Sequence, residues 1–246
     1  MLHRRIEEAS LKAWPALQQM LLAGWLLRFA RGYTQRANSV PPLFGSSLNA
    51  EEKIELCERL YAEKEQPASF RLTPFAVPPD LEQVLVRRHY RLMDRTHVQH
   101  LNWGDRAIQT APVGERRNET VDNWLDTFCR LSAAPLAKPQ THKEMRQALP
   151  AKRVLAVLAD SATIVACGLG VLEQEYFGLF ELVTDRQQRH KGYGAQLVSG
   201  MVQWAQAHAA AHAYLQVMTR NAPARHRYAK LGFADVYQYW YRVPDA

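Results

Sequence analysis

The feature that most constrains this chain is a joint between two regular elements. Residues 176–184 form a run suited to a β-strand, and residues 191–208 form a long amphipathic helix. Between them stands Arg189-His190-Lys191-Gly192-Tyr193-Gly194-Ala195. A helix start exposes about four backbone N–H groups at the positive end of its dipole. Glycine at two of those positions removes the Cβ that would hold an anion away, and Arg189 and Lys191 add charge beside it. That is the chemistry of a diphosphate cradle. It is not a Walker A loop, since no Gly-Lys-Ser/Thr follows, nor the dinucleotide GxGxxG, since the third glycine is missing. Taken alone, two such glycines also suit a tight turn with solvated charges, and the downstream sequence decides between the two.

Downstream, residues 213–219 suit a strand, and Asn221 opens a short helix through Lys230 with Pro223 in its first turn. Gly232 suits the left-handed position just past the helix end. Tyr228 falls on the last turn, where its hydroxyl is either a core filler's or a proton donor's. The strand ending at Thr184, the Arg-x-x-Gly-x-Gly of Arg189 to Gly194, the long helix, the strand at Tyr214-Leu215-Gln216-Val217 and Asn221-x-x-Ala224-x-x-x-Tyr228-x-x-x-Gly232-Phe233 together resemble the GNAT superfamily of N-acetyltransferases. The resemblance covers about residues 117–246. Residues 1–103, with Gly24-Trp25-Leu26-Leu27-Arg28-Phe29 and Arg36-Ala37-Asn38-Ser39-Val40, look like the first lobe of two-lobed bacterial members, a degenerate GNAT-like copy without the loop.

The resemblance implies an α+β fold, a mixed and mostly antiparallel sheet flanked by helices. It implies acetyl-CoA as acyl donor and direct attack by a small-molecule or amino-acid-like primary amine. Backbone groups of Leu182, Val183 and Thr184 would pair with the pantetheine arm, and amides of Arg189, His190, Lys191, Gly192, Tyr193, Gly194 and Ala195 would hold the diphosphate. Asn221 would contact or position the arm, and Tyr228 would protonate the departing thiolate. Two departures stand out. Many relatives have glycine where His190 stands, and some that acetylate protein N-termini have a glutamate base where Gln216 stands. The expected base is therefore Glu181, with Glu175 second, unless Glu181 serves an ion pair or solvent. The acceptor is expected between the lobes, the first lobe contributing Tyr33, Arg36 and Asn38.

Elsewhere the pattern predicts a helix over 6–20, a hairpin of 24–29 and 33–40 around Ala30-Arg31-Gly32, a helix from Asn49, a strand at 70–73, a helix after Asp80 and a strand at 90–101. A polar connection over 102–120, a helix from Thr120, a loop over 132–141, a short helix and strands at 154–158 and 163–172 follow, and 233–243 closes the chain. Composition narrows the function classes. At 47% hydrophobic and 10% aromatic, low-complexity disorder is not expected. Three scattered cysteines make neither a disulfide framework nor a zinc ribbon, so no metal is expected and a reducing, cytoplasmic setting fits. No apolar run approaches the ~20 residues of a membrane span. The net charge of +7 favours anionic partners, but basic residues never run beyond a pair, which argues against a nucleic-acid surface. Two alternatives stay open: a non-catalytic acyl-CoA sensor that kept the cradle, and a basic nucleic-acid-associated protein. His208 and His212 lack a third ligand, and the alternating Tyr237–Tyr241 run suits a core face.

Overall fold

The computed structural model describes residues 2–103, 115–132 and 136–245. Helix α1 (Leu2–Ala13) precedes β1 (Gln18–Leu22), β2 (Trp25–Phe29), α2 (Ala50–Ala62), β3 (Phe70–Leu72), α3 (Leu81–Arg87) and β4 (Tyr90–Asn102). Then come β5 (Glu115–Asn118), α4 (Val121–Ser132), α5 (Pro139–Gln147), β6 (Lys152–Asp160), β7 (Thr163–Glu173) and β8 (Tyr176–Thr184). Helix α6 (Tyr193–Gln206), β9 (His212–Met218), α7 (Ala222–Lys230) and β10 (Ala234–Pro244) complete the chain.

Contacts divide these elements into two compact units. The larger comprises Met1–Ala13, Val98–Val217 and Asn221–Val236, and the smaller Trp14–His97, Met218–Arg220 and Tyr237–Ala246. This differs from the expected limits of 1–103 and 117–246, for two physical reasons. Helix α1 packs on β7 and β8 and ties itself there through Arg5–Glu175 (3.2 Å) and Lys12–Glu173 (2.5 Å), so it belongs with the larger unit. The end of β10 pairs with β3, Trp240 opposite Leu72 and Arg242 opposite Phe70, so it belongs with the smaller.

In the larger unit β9, β8, β7, β6 and β5 lie side by side in that order. The β5–β6, β6–β7 and β7–β8 pairs are antiparallel and β8–β9 is parallel. Residues 154–159 of β6 and 165–172 of β7 are buried without alternation, the pattern of strands covered on both faces. Helix α6 supplies Leu197, Val198, Met201, Val202 and Ala205, spaced as one helical face, to a core with Val154, Leu158, Phe177 and Leu215. From α4, Trp124 is fully buried and its indole N–H donates to the carbonyl of Ala156 at 3.3 Å. Strand β5 falls inside the expected polar connection, where its Glu-Arg-Arg-Asn sequence gives no apolar alternation to read. Residues 104–114 of that connection, and 133–135 of the next loop, lie outside the described residues.

The smaller unit packs β2, α2, β3 and α3 around Trp25, Leu27, Ile54, Tyr61, Phe70 and Leu85. Asn49 starts α2 with a reciprocal cap: its side chain accepts from the Glu52 amide (2.9 Å) and its own amide donates to the Glu52 carboxylate (3.0 Å). Along β10, Tyr237, Tyr239, Tyr241 and Val243 alternate into the interior, the core role their spacing suggests.

The expected hairpin is displaced by about one strand. Its strands are β1 and β2, in register from Gln18↔Phe29 to Leu22↔Trp25, and its turn is Ala23-Gly24 with φ of +46° and +84°. Two left-handed residues give the tight turn whose twist suits adjoining strands. A Cβ on Gly24 would also stand 2.4 Å from the carbonyl oxygen of Phe44. Residues 33–40 make no second strand of this hairpin. They hold a short 3-10 turn (Gln35–Ala37) closed by Asn38, whose carboxamide oxygen accepts from the amides of Ala30 (2.7 Å) and Gly32 (2.9 Å). Its nitrogen donates to the carbonyl of Thr34 at 2.7 Å. Expected to meet an acceptor, Asn38 is instead 6% exposed and committed to its own loop.

Candidate active site

Strand β8 carries the first element of the site, and a bulge shapes it. Phe180 faces Leu169 and Val183 faces Cys167, so Glu181 and Leu182 together oppose the single residue Gly168. Glu181 takes the left-handed conformation, φ +51°. A Cβ on Gly168 would lie 2.6 Å from a Leu182 methyl, so the glycine is what lets Leu182 fold over β7. The parallel β8–β9 ladder ends at Leu179↔Leu215, just before this bulge. Beyond it, Val183 and Thr184 stay paired to β7 on one side, while β9 no longer pairs with the other. Leu182, Val183 and Thr184 line a cavity of about 510 Å³ along that edge.

The second element is the tip of α6. Gly192 caps the helix in the left-handed region, φ +87°, and His190 also lies there at +66°. Glycine is at home in that region; for His190 it costs about 1–2 kcal/mol. Among the described residues, no backbone partner accepts from the amides of residues 189–194. Ala195 differs from the expectation: its amide donates to the Gly192 carbonyl at 3.0 Å as the first turn closes, so it is committed to the helix. A second hollow, about 250 Å³, lies here between Thr184, residues 188–190, residues 192–195 and Arg227. A Cβ on Gly194 would sit 3.1 Å from an Arg227 guanidinium nitrogen and 3.2 Å from the Thr184 hydroxyl, so a side chain here would crowd the wall of the hollow. Tyr193 anchors the tip by donating its hydroxyl to the Asp160 carboxylate, which also raises the phenol's pKa.

Helix α7 closes the cavity from a third side. Asn221 caps it by accepting from the Ala224 amide at 3.3 Å, and Asn221, Pro223, Ala224, Arg227 and Tyr228 all reach the cavity wall. The ring of Tyr228 packs edge-on to Phe233 at 6.2 Å. Burial pushes its pKa up, against the opposing pull of the Arg227 charge, so its proton is held firmly at neutral pH. Arg227 reaches both hollows, whereas its neighbour Arg225 is tied to Asp235 at 3.1 Å. The sequence pattern does not single out Arg227; the available signal was its place next to Tyr228 on a short helix.

The two expected bases are not brought to this cavity. Glu181 has a 9% exposed side chain directed at α5, with one oxygen 2.8 Å from His142 Nε2 and the other 3.4 Å from Arg146 Nε. Both α5 side chains are fully buried, and none of the three lines the cavity. Glu175 sits in the turn before β8, about 25–30 Å from Thr184 at ~3.3 Å per residue, and is paired with Arg5. That distance rules it out as a base for this site. Gln216 is half-buried on β9, past the last paired position, and does not line the cavity. Among the described residues no group of three or more His, Cys, Asp or Glu could hold a metal ion. No described helix is long and apolar enough to cross a membrane.

A family model described as "Probable histone acetyltransferase Rv0428c C-terminal" matches residues 3–242. The uncharacterized N-acetyltransferase YobR of Bacillus subtilis (strain 168) is 28% identical over 247 residues, covering 98% of each chain. Among solved structures, a GCN5-related N-acetyltransferase from Kribbella flavida superposes with a TM-score of 0.74 at 15% identity, over 98% of this chain and 95% of that one. A GCN5-related N-acetyltransferase from Sphaerobacter thermophilus gives 0.62 at 18% identity, over 96% and 84%.

Proposed function

This chain belongs to the family of that model, and so to the GNAT superfamily of N-acetyltransferases; on that premise we propose that it transfers an acetyl group from acetyl-CoA to the primary amine of a small-molecule or amino-acid-like acceptor. It is an acyltransferase, and acetyl transfer is its general chemistry. The observation that carries the finer reading is the continuity of two chemically different surfaces. An unpaired strand edge at residues 182–184 leads to a helix tip whose amides at 189–194 have no backbone acceptor among the described residues.

Those surfaces fit the donor. The edge offers backbone groups to the amides of a pantetheine arm. The tip offers N–H groups, the helix dipole and the guanidinium of Arg227 to a diphosphate. The hollow at Gly194, where a Cβ would crowd Arg227 and Thr184, supports close approach of phosphate oxygens. Bound acetyl-CoA supplies an acyl carbon activated as a thioester. Tyr228, protonated and at the cavity wall, donates its proton to the sulfur as the C–S bond breaks and the C–N bond forms, and the proton that the attacking nitrogen sheds on becoming an amide restores the phenol through solvent. Among the described residues no carboxylate lines this cavity, and the acceptor's ammonium proton passes to solvent before attack.

The family description names a histone acetyltransferase. For this chain, a net charge of +7 opposes a polycationic protein tail and favours a small acceptor. Calorimetry with acetyl-CoA, followed by thiol release across amino acids, polyamines, aminoglycosides and a histone-tail peptide, tests both levels. Micromolar donor binding and turnover on a small amine are expected. Absence of binding heat together with an unchanged melting temperature at millimolar donor would remove the donor reading; turnover confined to the peptide would remove the acceptor class.

A further inference from the structure

Glu181 combines three features. It holds a left-handed backbone, φ +51°, in mid-strand. It is one of two residues in the bulge opposite Gly168. Its carboxylate is buried against His142 at 2.8 Å and Arg146 at 3.4 Å, both on α5. A left-handed non-glycine residue is strained and persists only where its surroundings over-determine it. A buried carboxylate persists only where donors match it, and removing one partner of such a pair is strongly destabilising. Here one side chain answers both demands. The ion pair fixes the side chain, and the fixed side chain fixes the backbone that carries it.

We propose that Glu181 is a positioning residue, whose carboxylate, tied to His142 and Arg146, pins the bulge that separates β8 from β9 and so keeps the 182–184 edge available to the pantetheine arm. This rests on the reading of the cavity as a coenzyme A site. It replaces the general-base role expected from the sequence, because both oxygens are turned to α5 and the residue is absent from the cavity wall. The tie acts on one part of the site only. The helix tip is built from residues 189–194 and Arg227 and anchored separately by Tyr193 on Asp160.

That separation gives a test that needs no acceptor. Two probes are titrated by calorimetry into the full-length chain: coenzyme A, which uses edge and tip, and 3′-phosphoadenosine 5′-diphosphate, which lacks the pantetheine arm. Glu181→Gln keeps the size and removes the charge, whereas Glu181→Gly keeps the left-handed φ without strain and removes the tie. Both variants are expected to weaken coenzyme A about tenfold, the worth of one hydrogen bond, and to leave the nucleotide within about twofold. A catalytic base would move neither affinity, and general damage to the fold would weaken both probes alike; either result overturns the assignment. Wild-type protein that binds neither probe would instead remove the coenzyme A reading itself. Arg146→Met, made alone and with Glu181→Gln, completes a cycle. Weakening by the double variant equal to that of Glu181→Gln alone is expected, and additive losses would contradict a shared tie.

Discussion

Two glycine-bearing turns, one in each unit, use the same backbone conformation to opposite ends. In the smaller unit Gly32 is left-handed at φ +69°, and the carboxamide of Asn38 accepts from the amides of Ala30 and Gly32, closing the turn with a side chain of the same chain. In the larger unit Gly192 is left-handed at φ +87°, and among the described residues no backbone group accepts from the amides of residues 189–194. What distinguishes a structural turn from an anion site is therefore not glycine but the absence of an internal acceptor within reach. A backbone donor left without one is costly when shielded from water, and at a helix start it is a standing attraction for an anion.

The contrast can be broken most sharply at Gly194. Replacing it with valine puts a side chain where Arg227 and the Thr184 hydroxyl already stand at 3.1 and 3.2 Å from the Cβ position. Coenzyme A affinity should fall about hundredfold, two hydrogen-bond equivalents, with a melting temperature near wild type. Affinity unchanged in calorimetry would show that the hollow is not the diphosphate site. Tyr228→Phe addresses the chemistry instead: kcat should fall about hundredfold with coenzyme A affinity within about twofold. The raised pKa of Tyr228 keeps it protonated below pH ~10, so it should cause no alkaline fall of kcat below that pH. Wild-type turnover in this variant would take the acid role from Tyr228. The smallest effect on binding belongs to the closed turn. Asn38→Ala should leave coenzyme A affinity unchanged while costing about 1–3 kcal/mol of stability, since two amides lose their acceptor. Urea unfolding beside calorimetry measures both, and an unaltered stability would mean that the Asn38 bonds are not what holds the loop.

What the sequence made legible was local. The joint at 189–194, the Asn221 cap and the place of Tyr228 are each set within about a dozen residues, and the structure has them at one cavity. What stayed hidden depended on distant partners. Gly24 rather than Gly32 turns the hairpin, since β1 pairs with β2, and the distant Phe44 carbonyl leaves no room for a Cβ there. Glu181 reads as a lone acid on a strand until α5 brings His142 and Arg146 against it. The limits of the two units follow α1 and the end of β10, whose partners lie far along the chain. Arg227 carries no motif of its own beyond its place next to Tyr228, and the approach of α7 to Gly194 reveals its role.

The central claim is that the amides at the start of α6 are the anion ligands, and backbone amide NMR reads them one by one. Titration with coenzyme A should shift the ¹⁵N–¹H resonances of residues 190–194 most, while the amides of Ala30 and Gly32 stay where they are. Saturable binding that leaves residues 190–194 unmoved, or that moves the Ala30 and Gly32 amides instead, would contradict it.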